Sequence, residues 1–301
     1  LFEVLKNIKK YDGILFYSLL QLPLDQKKRQ IFYKNILKNK KELHFACENI
    51  KVKTKNEIKN LDLIFKINLE KNNPYKQIYK KGVEKFYVNY RHKKSKRNFI
   101  ERLTNNKVKC MKVAKKYDYN YWDGDRKFGY GGYKYIEGYH HFLAKNLVKD
   151  YNLNQNSKIL DIGCGKGFLM YELKKITKSK FIYGIDISKY GIKNSKKEIK
   201  KNITHFDARK KLNYDDNYFD LAITINTFHN FKLPEINLAL KEIERIAINK
   251  YLCVESYRNE AEQFGAQSWA LTAETIIDKK SWKWLFENSG YKGDYEFIYF
   301  K

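Results

Sequence analysis

The chain has 301 residues, and its 61 Lys and Arg against 34 Asp and Glu give a formal net charge of +27. A hydrophobic content of 43% with 16% aromatic residues excludes a wholly disordered chain. The best apolar run, Gly13 to Leu22, falls well short of the ~18 residues of a membrane span. The length suits about two domains, and the chain is expected to be soluble and cytoplasmic. Only eight of the basic residues are Arg, leaving 53 Lys, whereas grips on phosphate backbones lean on the planar guanidinium fork. Residues 1–116 carry 31 basic and 10 acidic residues, +21, and residues 117–301 carry 30 and 24, +6. The Lys-rich faces are read as solvated, with contact to a polyanion or a membrane surface as the alternative. Cys47, Cys110, Cys164 and Cys253 form no Cys-x-x-Cys pair, which points away from metal ligation and toward a reducing environment.

In chain order, Tyr11-Asp12-Gly13 leads into Ile14 to Leu20, an apolar run read as a buried strand that Pro23 ends. Asp25 is an N-cap for a helix to about Lys38. Glu42 to Cys47 is a second strand, and Thr54 with Glu57 has capping-box spacing for another helix. Two strands are too few to bury both faces of a sheet, so residues 1–71 are expected to be a truncated small α/β domain. Tyr11-Asp12-Gly13-Ile14, Ser18 to Pro23, Arg29 and Leu43-His44-Phe45-Ala46-Cys47-Glu48-Asn49 resemble the C-terminal part of the sporadic carbohydrate-cluster protein family, which is distantly like serine recombinases. The nucleophile of a recombinase would precede residue 1, so the resemblance carries no recombinase activity over, and His44 is read as a packed strand residue.

Residues 72–119 are read as a basic helical linker with aromatics at Tyr75, Tyr79, Phe86, Tyr87 and Tyr90. The cluster Arg91-His92-Lys93-Lys94-Ser95-Lys96-Arg97 is read as a solvated helix face, with a nucleic-acid patch as the alternative.

From residue 157 strands and helices alternate. The strand Ser157 to Ile162 enters a turn with Gly163, Gly165 and Gly167, and Phe168 starts a helix. Further strands close on polar residues: Phe181 to Asp186, Ile203 to Asp207, Phe219 to Asn226, and Tyr251 to Glu255. Open α/β sheets bind ligands at such carboxyl ends. Alternate glycines let backbone approach a ligand closely, and a carboxylate closing the second strand suits ribose hydroxyls. A dinucleotide fingerprint would need Gly where Phe168 stands, and Gly167 is followed by neither Lys nor Ser/Thr as a phosphate loop requires. Asp161 disfavours a pyrophosphate and suits a cationic ligand end.

The Asp161-x-Gly163-x-Gly165-x-Gly167 turn, Asp186, Asp207 and Asn226-Thr227-Phe228-His229-Asn230 resemble class I S-adenosylmethionine-dependent methyltransferases, over residues 120–301. The resemblance implies a Rossmann-like, seven-stranded, mostly parallel sheet with helices on both faces, ending in an antiparallel strand, Tyr295 to Phe300. It implies S-adenosyl-L-methionine as cofactor. Asp161, Gly163 and Gly165 would face the methionine moiety, Asp186 the ribose hydroxyls, Asp207 the adenine amino group with Phe206 or Ala208 beside the ring, and Asn226 the sulfonium, with Cys164, Gly167 and Ile187 also among the cofactor-binding residues. No metal is implied.

Nucleic-acid amino-methylases of this fold carry prolines after strand four, and cytosine methylases a Pro-Cys nucleophile; neither pattern occurs here. A small-molecule, nucleotide-sugar or glycan acceptor is therefore expected, in surface polysaccharide or lipopolysaccharide biosynthesis. The alternatives are RNA or protein methylation recruited by the basic half, and a non-catalytic cofactor-binding regulator. Tyr121 to Tyr135 mixes glycines, aromatics and charges. It is read either as a lid, with Tyr130 and Tyr133 toward the sulfonium or acceptor and Arg126 toward a phosphate or carboxylate, or as a structural wrap. His229 is the first candidate for a general base and Glu255 the second, ahead of His140 and His141. Among the later aromatics, Trp269 is the one expected to reach the acceptor.

Overall fold

The computed structural model describes residues 7–17, 19–23, 25–46, 49–71, 82–88 and 97–300. Ser18, Cys47, Glu48, Tyr75, Tyr79, Tyr90 and the run 91–96 of the basic cluster lie outside the described residues. Two units form, Leu1–Tyr79 and Lys80–Lys301.

In the first unit, the Asp25 carboxylate accepts the Lys28 N–H at 2.8 Å and starts α1 (Gln26–Lys38). Thr54 and Glu57 complete their capping box: the Glu57 carboxylate accepts the Thr54 N–H at 2.9 Å, and Thr54 Oγ1 accepts the Glu57 N–H at 3.3 Å. They open α2 (Lys55–Lys71). The sheet is β1 (Gly13–Phe16), β2 (Glu42–Phe45) and β3 (Ile50–Val52), with β1 parallel and β3 antiparallel to β2. Sequence reading missed β3, a three-residue strand with a single buried side chain. The first strand is shorter and less buried than its apolar run suggests, because Leu15 and Tyr17 are exposed. Phe16 stacks on Phe45 in the core, their ring centroids 5.2 Å apart.

The second unit is built on six parallel strands in the order β6-β5-β4-β7-β8-β9. These are β4 (Ile159–Ile162), β5 (Ile182–Asp186), β6 (Ile203–His205), β7 (Phe219–Ile225), β8 (Ala247–Glu255) and β9 (Asp294–Ile298). Its helices are α3 (Phe99–Thr104), α4 (Lys107–Ala114), α5 (Tyr119–Trp122), α6 (His141–Asp150), α7 (Phe168–Thr177), α8 (Lys189–Lys193), α9 (Leu233–Ile246), α10 (Glu260–Trp269) and α11 (Lys279–Ser289). Alternate strand residues serve two hydrophobic layers. Leu160, Ile162, Ala222, Leu252 and Val254 pack with α9 and α11. Ile159, Leu221, Ile223, Tyr251 and Cys253 pack with α6, α7 and α10.

Two expectations are corrected. The last strand is parallel to β8, not antiparallel, and six strands rather than seven pair among the described residues. The connection permits this: α10 and α11 lie between β8 and β9, long enough for the crossover a parallel pair needs, where a tight hairpin could only reverse the chain. Second, residues 83–88 are extended rather than helical and belong to the sheet edge. Glu84 bridges Tyr295 in parallel, and the buried Glu296 carboxylate accepts the N–H groups of Tyr87 and Val88, each at 2.8 Å. No helix of the described residues is long and apolar enough to cross a membrane.

Candidate functional site

The strand order turns around between β4 and β7, which places a crevice at their carboxyl ends. A cavity of about 500 Å³ occupies it. Asp161, Gly163, Cys164, Gly165, Asp186, Ile187, Phe206, Asp207, Ala208 and Asn226 line one side, and Tyr130 and Tyr133 line another. Local sequence thus converged on one space from four strand ends and the preceding Tyr-Gly segment. Gly167 does not line it; it sits at the start of α7, where a side chain would strike Ile199.

The glycine turn has no room for side chains. At Gly163, φ is +77° and a Cβ would lie 2.1 Å from Thr227 Oγ1; at Gly165, φ is +56° and a Cβ would lie 2.7 Å from the Trp122 ring. Asp186 organises the turn, its two oxygens accepting the Gly165 N–H at 2.6 Å and the Ser188 N–H at 2.7 Å. Asp161 is almost fully buried, and burial, with the charge of Asp186 added, pushes its carboxyl up to about 7. Asp207 is held by Arg209 in a fork, at 2.9 and 2.7 Å, which keeps its carboxyl below the usual range. Asn226 adopts a left-handed backbone, φ +56°, and its buried Oδ1 has no hydrogen-bond partner among the described residues.

A strap from Tyr117 to Tyr135 closes over this turn. Trp122 donates from Nε1 to Ser188 Oγ at 2.8 Å and stacks on Tyr130, centroids 5.4 Å apart, while Tyr133 stacks on Phe168 at 5.0 Å. Trp122 and Tyr117 owe their place to Ser188, which caps α8, and to Gly165 and Gly191 beside the indole, contacts that no local pattern encodes.

The two predicted bases are not at the cavity. His229 and Glu255 are absent from its lining, and His229 lies in the 3₁₀ turn Phe228–Asn230, buried beneath it. Its Nδ1 accepts the Glu255 N–H at 3.2 Å and its carbonyl accepts the Glu274 and Thr275 N–H groups, both at 3.0 Å. Burial drives its pKa down to about 3, so the ring stays neutral. Glu255 is pushed up to about 7 by burial, with Arg97 and Lys107 opposing. The imidazole that does line the cavity is that of His140, beside Tyr139 and Phe168. His140 immediately precedes α6, and no local pattern marks it as a lining residue.

Residues 153–290 match a model of the methyltransferase domain. No curated protein matches the chain. Among solved structures, similar chains include a protein of Pyrococcus horikoshii (30% identity, 35% of this chain and 50% of that one, TM-score 0.31). Another is an S-adenosylmethionine-dependent methyltransferase of Aquifex aeolicus (26%, 36% and 60%, TM-score 0.30). A third comes from the complex with the Haloferax volcanii Trm112 methyltransferase activator (17%, 50% and 67%, TM-score 0.41). The chain thus spans half to two thirds of the length of these three. The family match covers just under half of the chain.

Proposed function

We propose that the chain methylates a hydroxyl of a sugar or glycan precursor, of the kind that surface polysaccharide or lipopolysaccharide synthesis consumes. The observation that carries this reading is one continuous cavity. It joins the acidic strand ends to the aromatic strap and His140, with a volume of about 500 Å³, inside the range of ~300–1,000 Å³ usual for small-ligand sites. Rings that can cover the C–H face of a sugar line its outer side.

The donor set fits the cofactor. Asp161 and the orphaned Oδ1 of Asn226 would hold the ammonium end, Asp186 the ribose hydroxyls, and Asp207 the adenine amino group between Phe206 and Ala208. When bound, S-adenosylmethionine supplies a methyl group on a sulfonium, an excellent leaving group. The chain's own contribution is then to position the acceptor, exclude water beneath Tyr130 and Tyr133, and accept the hydroxyl proton at His140.

Asp161 makes cofactor binding depend on pH. A carboxyl raised from 3.8 to about 7 is neutral below that range, and a cationic ligand end prefers it ionised. Affinity is expected to climb as pH rises through about 7 and then level off, falling up to about tenfold per pH unit below it. In the ligand-free protein the sign is opposite. The raised carboxyl stabilises the fold at low pH, and that contribution is lost as pH rises from 3.8 to about 7. Calorimetric titrations at several pH values, repeated with Asp161→Asn, check this; an unchanged profile in the variant removes Asp161 from the ammonium site.

Turnover is tested by incubating the chain with S-adenosylmethionine and a panel of nucleotide sugars, reading the gain of one methylene by mass spectrometry. His140→Ala is expected to cut turnover by about 100-fold or more while cofactor affinity holds. His229→Ala should instead lower the melting temperature, since it releases the Glu255 N–H. Methylation of RNA or protein with no sugar product would replace the proposed acceptor.

A further inference from the structure

Seven of the arginines lie among the described residues, and four of them hold carboxylates. Arg29 pairs with Asp62 at 3.0 Å, Arg209 with Asp207 at 2.7 Å, Arg245 with Asp216 at 2.9 Å, and Arg258 with Glu262. Arg97, Arg102 and Arg126 converge on a single indole. The guanidinium carbons of Arg97, Arg102 and Arg126 lie 5.6, 4.4 and 5.2 Å from the centroid of Trp269, and Arg97 also lies 4.8 Å from that of Phe300. They come from the stretch before α3, from α3, and from the strap, while Trp269 ends α10. In a chain whose cations are overwhelmingly Lys, packing alone would not call for three forks at one ring.

Among the described residues no carboxylate lies within ion-pair reach of Arg102 or Arg126. Carbonyl groups engage one nitrogen of each without cancelling the charge: Arg102 Nη1 donates to the carbonyls of Arg126 at 3.1 Å and Lys127 at 2.9 Å, and Arg126 Nη1 to that of Gly129. Lys107 adds a fourth cation, its pKa brought down to about 8 by burial and by Arg102. Partial burial lowers the affinity of all three guanidinium groups for their protons, and Arg126 adds repulsion on the other two. Glu255 is the carboxylate whose field reaches Arg97. Tyr130, which lines the cavity, stacks on Trp122 and feels the charges of Glu255 and of Arg126, four residues before it in the strap.

We propose that Arg97, Arg102 and Arg126, stacked around Trp269, form a subsite for the phosphate group of a small acceptor molecule. Rings hold guanidinium planes flat and leave their edges to grip a tetrahedral oxyanion by paired N–H groups. An excess of more than one positive charge matches a phosphate dianion or a diphosphate better than a single carboxylate. Calling the phosphate carrier an acceptor rests on the methyltransferase reading; the anion site itself does not.

The test uses the full chain with inorganic phosphate and pyrophosphate as probes, and glucuronate as the carboxylate arm, by calorimetry. Pyrophosphate is expected to bind, and Arg102→Gln combined with Arg126→Gln to weaken it at least about tenfold. Arg126→Lys, which keeps charge but loses the fork, should weaken it less. S-adenosylmethionine affinity, measured on each variant, confirms folding, and Arg126→Lys supplies the reading if the double variant fails that check. Unchanged pyrophosphate affinity in the variants, or none in the parent, overturns the proposal. Glucuronate binding as tightly as pyrophosphate also overturns it, in favour of a carboxylate. Loss of cofactor binding in the parent with pyrophosphate retained would instead defeat the methyltransferase reading and leave the anion site standing.

Discussion

Asp186→Asn is expected to lower S-adenosylmethionine affinity by about 100-fold, with titration calorimetry as the measurement. Both oxygens of Asp186 are occupied by backbone donors, Gly165 N–H at 2.6 Å and Ser188 N–H at 2.7 Å. Burial pushes its carboxyl up and those two donors pull it back, so the ionised form is held by the turn it organises. An asparagine of the same shape can accept on only one side. Its NH₂ must face either the Gly165 or the Ser188 N–H, donor against donor, in a buried site where an unmade bond carries its full penalty. If Gly165 loses its bond, the turn beside Trp122 shifts; if Ser188 does, α8 loses its entry, because Ser188 Oγ also caps that helix at Gly191. Either way the ribose loses its two-oxygen acceptor as well. Affinity within threefold of the parent would place the ribose hydroxyls on another residue.

The parts of this site that local sequence reveals are those whose chemistry is local. The glycine turn announces itself because the backbone at Gly163 and Gly165 needs positive φ where a side chain would collide, and Asp161, Asp186 and Asp207 because each closes an apolar strand or the turn that follows it. Tyr130 and Tyr133 are legible as composition, and the cavity gives that composition a place. The misreadings share a different cause. His229 stands at the usual position for a base, one turn beyond a strand end, yet its 3₁₀ turn folds inward and its Nδ1 is committed to the Glu255 backbone. His140 gains its place only through the packing of α6 on α7. The antiparallel last strand is the pattern of a family; the residues between β8 and β9 form two helices that permit either direction, and only the β8–β9 pairing shows it to be parallel. The arginines around Trp269 are brought together from residues 97 to 269, a distance no periodicity spans. Pairwise contacts of that range decide the acceptor side, whereas the cofactor side is written along the strands.

Lys166→Met should cost about 2–3 kcal/mol of stability in urea unfolding and loosen the strap. Lys166 sits in the middle of the glycine turn, its side chain only 5% exposed. Its Nζ donates to both oxygens of Asp123, each at 2.7 Å, and to the Tyr133 carbonyl at 2.8 Å. Asp123 in turn accepts the Tyr133 N–H at 3.0 Å and the Tyr190 hydroxyl at 2.8 Å. One ammonium therefore ties the two limbs of the strap to each other and to the turn that borders the cavity. Methionine fills the same volume but leaves the Asp123 carboxylate with hydrogen-bond donors and no counter-charge. Because Asp123 keeps some access to water, the cost stays at the lower end of that for breaking a buried pair. Hydrogen exchange should accelerate across residues 119–135, and cofactor affinity should fall about tenfold as the cover loosens. Adding Asp123→Asn should return a good part of the stability, since it removes the unpaired charge, without restoring the tie between the limbs. Stability restored together with slow exchange would mean that Trp122 on Tyr130 and Tyr133 on Phe168 hold the strap by stacking alone. Stability restored with fast exchange would assign the closure of the site to Lys166.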